Sequence, residues 1–206
     1  MSRSGLSACI LVVMSERDTH IILKTPRLTI RQFTEDDADN LVNLDSDPEV
    51  TRYLGRPASR EVLRDEIIPF HLGVYHRLDR LGTWAAESGD NGEFLGWFHF
   101  RPGPDADITN IDLGYRLRRS AWNHGYATEG SQALINMGFA NLGVQRVFAH
   151  TMTANTASRR VMEKCGLTLV RTTTYDGPDA DVIDGAERGE VEYALTKSEW
   201  EAYTAS

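Results

Sequence analysis

Cysteine is scarce. The 206 residues hold two, Cys9 and Cys165, far apart and with no CxxC or Cys/His pairing. That excludes a disulfide scaffold and a structural zinc site, so no metal is expected, and it fits a reducing cytoplasm. Long apolar runs are missing as well. No window reaches the roughly 18 residues that a membrane span needs. Basic charge is in deficit: 22 Lys and Arg against 30 Asp and Glu leave a net charge of −8. Such a chain is a poor general match to nucleic acid, and no aromatic-plus-basic interleaving offers RNA a stacking platform. There is neither a Walker A loop nor a Rossmann GxGxxG fingerprint. Repeats, low-complexity tracts and linkers are absent, which points to a single domain, taken as residues 21–200. What is present is 41% apolar residues and 9% aromatics, enough to offset the entropy of folding. Residues 1–20 read as an extension ahead of that domain, with Met14 its natural start. A lone Arg3 and no small-x-small cleavage site speak against a secretory signal.

The pattern along the chain alternates between two textures. Ile21 to Arg31 reads as one strand that pauses at Pro26, and Thr34 reads as the cap of a helix with acids in its first turn. Ser59 opens a second helical stretch whose apolar face is Val62, Ile67, Phe70, Val74 and Leu78, with Pro69 a place to split it. Thr83–Glu87 and Phe94–Phe100 flank Gly89-Asp90-Asn91-Gly92 as a hairpin, and Ile111–Leu117 alternates as the next strand. Then come a helix over Thr128–Leu142, a strand over Gln145–Thr151, a helix over Thr156–Lys164 stopped by Gly166, and strands over Leu167–Thr174 and Val191–Leu195. Hairpins joined to a βαβ-like half make a mixed α/β sheet, mostly antiparallel, with helices on both faces.

The chemistry concentrates between Leu113 and Glu129. A strand ends at Leu117, Arg118 and Arg119 follow, and a short loop through Trp122-Asn123-His124-Gly125 leads to a helix N-terminus. The first turn of a helix has unpaired N–H groups and a partial positive charge, and glycine lets an anion come close. A pyrophosphate fits such a cradle, with the two arginines as cations ahead of it; an ordinary strand–helix turn with solvated arginines fits equally well. Past the next strand, Asn155 is a helix cap whose amide has reach toward a ligand, and Ser158 lies one turn on.

In that order, Leu23-Lys24-Thr25-Pro26-Arg27-Leu28-Thr29-Ile30-Arg31, Leu113-Gly114-Tyr115, Gly125-Tyr126-Ala127-Thr128-Glu129 and Asn155-x-x-Ser158 with Glu163-Lys164-x-Gly166-Leu167 resemble the GNAT superfamily of acetyl-CoA-dependent N-acetyltransferases. The look is that of the branch containing the ribosomal-protein N-terminal (alanine/serine) acetyltransferases, and it covers about residues 21–197. The resemblance implies a sheet split in a V between the strand at Ile111–Leu117 and the strand at Gln145–Thr151. Pantetheine would lie in the split, pairing with the backbone of Tyr115 and Leu117, and pyrophosphate on amides from Asn123 through Thr128. In the superfamily pattern Q/R-x-x-G-x-G/A, Trp122 holds the first place, Gly125 the fourth and Ala127 the sixth; Trp122 departs from it, and Asn123 stands where glycine is common. His124 is a further phosphate neighbour or simply a loop histidine.

Acetyl transfer to an amine needs a neutral nitrogen, a polarised thioester and a proton for the leaving thiolate. Many superfamily members carry a tyrosine seven residues after the asparagine. Here Met162 stands there and cannot donate. The resemblance makes Ser158 the candidate acid, with cofactor positioning as its plainer role. Asp112 and Glu87 are the candidate bases, or else carboxylates in local ion pairs. Glu129 is read as a charge that complements the helix dipole, and Cys165 as a packing residue. Acidic runs at Glu35–Glu49 and Asp176–Glu192 favour a cationic acceptor, such as a polyamine, an aminoglycoside or a basic peptide N-terminus, unless they are solvated loops. The expected partner is therefore a small-molecule or peptide amine, and a homodimer is compatible with the sequence. The rival reading is a non-catalytic acyl-CoA-binding sensor.

Overall fold

A computed structural model of the chain describes residues 21–204 apart from positions 76, 79 and 178; the extension at 1–20 lies outside them. Eight strands form one sheet in the order β1-β2-β3-β4-β5-β6-β8-β7. They are β1 (Ile21–Lys24), β2 (Leu28–Arg31), β3 (Gly82–Ser88), β4 (Phe94–Pro102), β5 (Asn110–Leu117), β6 (Arg146–Met152), β7 (Thr168–Thr173) and β8 (Glu190–Thr196). Every neighbouring pair is antiparallel except β5 and β6. Before β3 come α1 (Asp37–Asp45), α2 (Pro48–Thr51), α3 (Arg60–Val62) and α4 (Ile68–Tyr75). After β5 come α5 (Tyr126–Asn141), α6 (Thr156–Lys164) and α7 (Lys197–Thr204).

Strand alternation splits the apolar residues between two faces. Trp84, Ala86, Phe98, Phe100, Ile111, Leu113 and Leu117 pack with Leu134, Ile135 and Phe139 of α5 and Met162 of α6. On the opposite face, Ala85 and Phe94 pack with Leu41 and Leu44 of α1 and with Leu63 and Ile68 around α4. Between them runs the sheet, so the β5–β6 region is reached from both layers.

Several expectations meet a physical correction. The single strand at Ile21–Arg31 is a hairpin: Thr25 N–H and Leu28 C=O close a turn around Pro26, 2.9 Å apart, and β1 folds back on β2. Thr34 does not cap with its own hydroxyl. Instead the buried Asp37 carboxylate reaches back to accept from Thr34 N–H at 2.9 Å, while Arg31 donates to both its oxygens. Pro69 does not split the second helical stretch. A π-helical turn at Leu63–Ile67 precedes α4. The extra residue in that turn rotates the periodic face, which leaves Phe70 at 59% exposure. Helix α7 carries little periodic apolar signal; Trp200 packs it on Phe139. No helix among the described residues is long and apolar enough to cross a membrane.

Helix α5 sits unusually low on the sheet because two glycines face it. A Cβ at Gly130 would run into the Phe98 ring, and one at Gly138 would come to 2.5 Å from Phe100 Cζ. Both rings are fully buried, so neither yields cheaply. Gly130→Ala is therefore expected to destabilise the fold by about 1–3 kcal/mol, despite alanine's better helix propensity, as read from the urea midpoint. An unchanged or raised midpoint would show that α5 has slack.

Candidate functional site

The site is built on the place where two strands part. β5 and β6 pair in parallel at Asn110–Arg146, Ile111–Val147 and Asp112–Phe148, and there the ladder stops. Both strands continue, β5 to Leu117 and β6 to Met152. Backbone alternation fixes what faces the gap. Thr109 C=O accepts from Arg146 N–H at 3.0 Å, on the β6 side, and Arg118 N–H donates to Leu95 C=O at 2.8 Å, on the β4 side. Odd-numbered residues of β5 thus turn their peptide groups to β6, and Leu113, Tyr115 and Leu117 present theirs to the gap. One of those groups is already taken: the Trp122 indole N–H donates to Leu117 C=O at 2.7 Å. Tyr115 and the Leu117 N–H remain for an extended guest. Trp122, odd as a phosphate-loop residue, makes sense as the brace of this strand end.

At the wide end of the gap lies the start of α5. Asn123 and Gly125 both adopt left-handed backbone, with φ of 62° and 83°, so the loop curls into a concave shell ahead of the helix. Gly125 is the N-cap and supplies no side-chain cap. The first-turn amides of Tyr126, Ala127 and Thr128 therefore face outward without a capping side chain, the geometry that holds anions. Arg27 steadies the loop from outside: it donates to His124 C=O at 2.8 Å and lies 4.9 Å over the Tyr126 ring. Glu129 proves more than a dipole partner. It accepts from Thr25 Oγ1 at 2.6 Å and from Arg27 N–H at 3.0 Å, pinning the β1–β2 turn to α5. Burial works to raise its pKa, but those hydrogen bonds outweigh it and hold the carboxyl below its usual range. Between this turn and α5 runs a groove of about 630 Å³ lined in part by Lys24, Arg27, Gly125 and Lys164.

The two arginines expected as phosphate cations have other partners. Arg118 donates to Glu93 at 2.5 Å, and Arg119 Nε lies 3.5 Å from Asp47. His124 sits in the loop with Nδ1 2.7 Å from Trp122 C=O and its ring stacked on Tyr126.

Helix α6 closes the gap from the side. Asn155 caps it, accepting from Ser158 N–H at 3.1 Å, and its amide nitrogen donates to Thr151 Oγ1 at 3.1 Å. Ser158 faces Tyr115: the two hydroxyls are 3.1 Å apart, and the Tyr115 hydroxyl also reaches Ser158 C=O at 3.1 Å. This bond spans the mouth of the split and joins β5 to α6. Burial pushes the Tyr115 phenol well above its ordinary pKa, so it stays protonated and serves as a donor. Cys165 is buried, and that burial pushes its thiol up to about 12; it packs and does not act as a nucleophile.

On the opposite face a cavity of about 360 Å³ lies under α1–α4, its wall including Phe33, Asp45, Arg56, His71, Trp97, His99, Arg101 and Arg116. That His71 of α4 and His99 of β4 share a cavity was not legible without the packing of α4 on the sheet. Asp112 lies just beneath, with Oδ2 3.2 Å from His99 Nε2 and 4.0 Å from Arg101 Nε. Glu87 is on the same face but bound to Arg31 at 2.6 Å, and Arg31 in turn holds Asp37 at 2.7 Å. The acidic runs are largely neutralised as well. Asp39 pairs with Arg60, Asp45 with Arg116, Asp179 and Asp181 with Arg56, and Asp184 with Arg52. Buried Glu192 takes Arg146 and Arg171.

Comparison with known proteins follows this geometry. A family model described as acetyltransferase (GNAT) domain matches residues 27–168. The Aspergillus fumigatus protein named FsC-acetyl coenzyme A-N(2)-transacetylase is 35% identical over 191 residues, covering 86% of this chain and 77% of that protein. Among solved structures, a GNAT-family acetyltransferase from Bacillus anthracis superposes with a TM-score of 0.73 at 23% identity, covering 87% of this chain and 99% of that one. The Vibrio cholerae spermidine N-acetyltransferase, in complex with CoA and spermine, gives 0.69 at 14% identity, over 86% and 99%. These two structures share the fold.

His71 offers a test of the cavity's burial. Burial, then the nearby Arg101 and His99, lower its pKa to about 4, against about 6.5 in the unfolded chain. The unfolded state therefore binds more protons between those values. Stability is full above about pH 6.5 and declines as pH falls toward 4. Urea midpoints measured at pH 7.5 and pH 5 should drop less in His71→Gln than in the parent; equal drops would place the imidazole in solvent.

Proposed function

Since the chain belongs to the GNAT acetyltransferase family and is an N-acetyltransferase, we propose that it moves an acetyl group from acetyl-CoA to a primary amine by direct attack while both are bound. The observation that carries this reading is the parting of β5 and β6 next to an uncapped helix N-terminus. The residues present fit the coenzyme. Tyr115 and Leu117 offer peptide groups to the pantetheine amides, and Asn123 through Thr128 offer a left-handed loop and free amides to the pyrophosphate. Lys24 and Lys164 supply positive charge along the adjoining groove, where Arg27 is paired with Glu129. Arg118, Arg119 and His124 come into play there only by exchanging their present partners. When bound, acetyl-CoA supplies a thioester carbon open to attack and a thiolate as leaving group.

Holding the two reactants in one passage provides much of the rate by itself. Ser158 is the acid in this reading. Its hydroxyl stands at the mouth of the split, and the Tyr115 hydroxyl keeps it in place. Asn155 acts through the helix: by capping α6 it sets where Ser158 stands. Asp112 belongs to the base, and Glu87 is the weaker candidate because its carboxylate is engaged in an ion pair with Arg31. The acceptor enters from the α1–α4 face, where Phe33 and Trp97 give it apolar walls. A cationic acceptor loses its electrostatic support, because the acidic runs carry arginine partners. An amine of moderate charge, bound through apolar contact, fits better. The relative's name, an N(2)-transacetylase, supports transfer to a primary amine.

Thiol release with a panel of amino-acid amides, N-terminal peptides and polyamines tests the reading. Ser158→Ala should lower kcat by about 100-fold or more with CoA affinity by calorimetry unchanged. Normal kcat with normal affinity would remove the acid role, and tight CoA binding without turnover on any amine would favour a sensor.

A further inference from the structure

The transfer proposed above requires one atom to receive the proton that the acceptor nitrogen sheds as it is acylated. Resting on that reading, the geometry points to His99 as the group that takes this proton, with Asp112 as the carboxylate that fixes its ring.

Position comes first. The β4–β5 register sets His99 opposite Gly114 and Arg101 opposite Asp112. Gly114 lies two residues past the last β5–β6 pair, so the imidazole stands where the gap opens, on the acceptor face of the sheet. His99 forms part of the cavity wall and Asp112 does not.

The ring is also clamped. Trp97 stacks on it at 5.7 Å and 23°. A Cβ at Gly114 would come to 2.5 Å from both Cε1 and Nε2, so glycine at that position is what gives the ring its seat. Asp112 Oδ2 stands 3.2 Å from Nε2, which is wholly enclosed and out of line for a full hydrogen bond. Such bonds commonly tighten when substrate arrives. With the proton on Nε2 toward Asp112, Nδ1 keeps its lone pair.

The surroundings favour the neutral ring. Facing it are Arg101 on its own strand, Asp112 and Arg116 on β5, and His71 on α4, while Asp45 of α1 holds Arg116. Burial lowers the His99 pKa most, Asp112 works against that, and Arg101 and Arg116 add to the lowering. The result is an imidazole that is unprotonated at neutral pH and free to accept. Glu87 is already occupied by its ion pair with Arg31.

The balance is simple. The neutral amine nitrogen forms the C–N bond and gives one proton to His99 Nδ1; the C–S bond breaks, and sulfur leaves with its electron pair and takes one proton from Ser158. Water in the cavity returns a proton to Ser158 and removes one from His99.

Two variants and two readouts test this. In steady-state transfer to the best amine of the panel, His99→Gln should lower kcat by about 100-fold or more and abolish the acid limb of the kcat–pH profile, with CoA affinity unchanged. Asp112→Asn should keep part of the activity and move that limb to lower pH, because a charge that raises the imidazole pKa is gone. NMR titration of the His99 ring, which needs no turnover, should show the same downward move in Asp112→Asn, and this measurement carries the test if His99→Gln does not fold. Parental kcat and an intact acid limb in folded His99→Gln would overturn the assignment while leaving the transferase reading standing. So would an unmoved His99 titration in Asp112→Asn. No transfer to any amine by parental protein that binds CoA would overturn both.

Discussion

Three residue pairs hold β5 to β6, and the site depends on there being no fourth. Each strand is secured on its other side: β5 by seven pairs with β4, β6 by seven pairs with β8. Neither can swing over to zip the remaining length without breaking a longer ladder. Sheet twist then carries the free ends apart. A buried sheet edge is normally costly, because peptide groups must find partners. Here the protein satisfies one group internally, through the Trp122 indole, and leaves the rest to an extended ligand. The gap is therefore both a structural defect and a binding surface, and the acyl-transfer reading rests on that double character.

In the proposed acyl transfer, the two layers around the gap have separate tasks. The α5–α6 layer deals with the coenzyme. Close packing of α5 on Phe98 and Phe100, permitted by Gly130 and Gly138, sets the height of its N-terminus relative to β5, and the Glu129–Arg27–Thr25 cluster ties that end to the first hairpin. The α1–α4 layer deals with the acceptor. Its charges are mostly paired, so its cavity selects by shape and by apolar contact more than by field. Buried ion pairs such as Arg31–Asp37 seldom add net stability over apolar packing; at this location they fix the orientation of α1 over the sheet. The groups proposed to act in the transfer lie between the layers, with Ser158 and Tyr115 on one face of β5 and Asp112 and His99 on the other.

How much could be read without coordinates follows the range of the forces involved. The α6 cap and the strand–helix alternation after Leu113 were legible, because caps and period-2 burial act over a few residues. Asn155 appears in its expected role as a cap, while α5 starts at Tyr126, two residues before the expected Thr128, with Gly125 as its N-cap. The first hairpin was not legible, since Pro26 marks a turn and a pause equally well. The exposure of Phe70 was hidden too, because a π-helical turn shifts the face without altering the composition. Arg118 and Arg119 looked like free cations, and only folding showed which carboxylates stand beside them.

The sequence by itself determined the class of fold, the two motifs that open α5 and α6 and the want of a donor at Met162, since each is written in neighbouring residues. Tertiary structure alone decided where β5 leaves β6, that Tyr115 meets Ser158, and that His99 rests on Gly114 beside Asp112. Those contacts join residues far apart along the chain, and their distances are set by sheet register and helix height, quantities that no local pattern encodes.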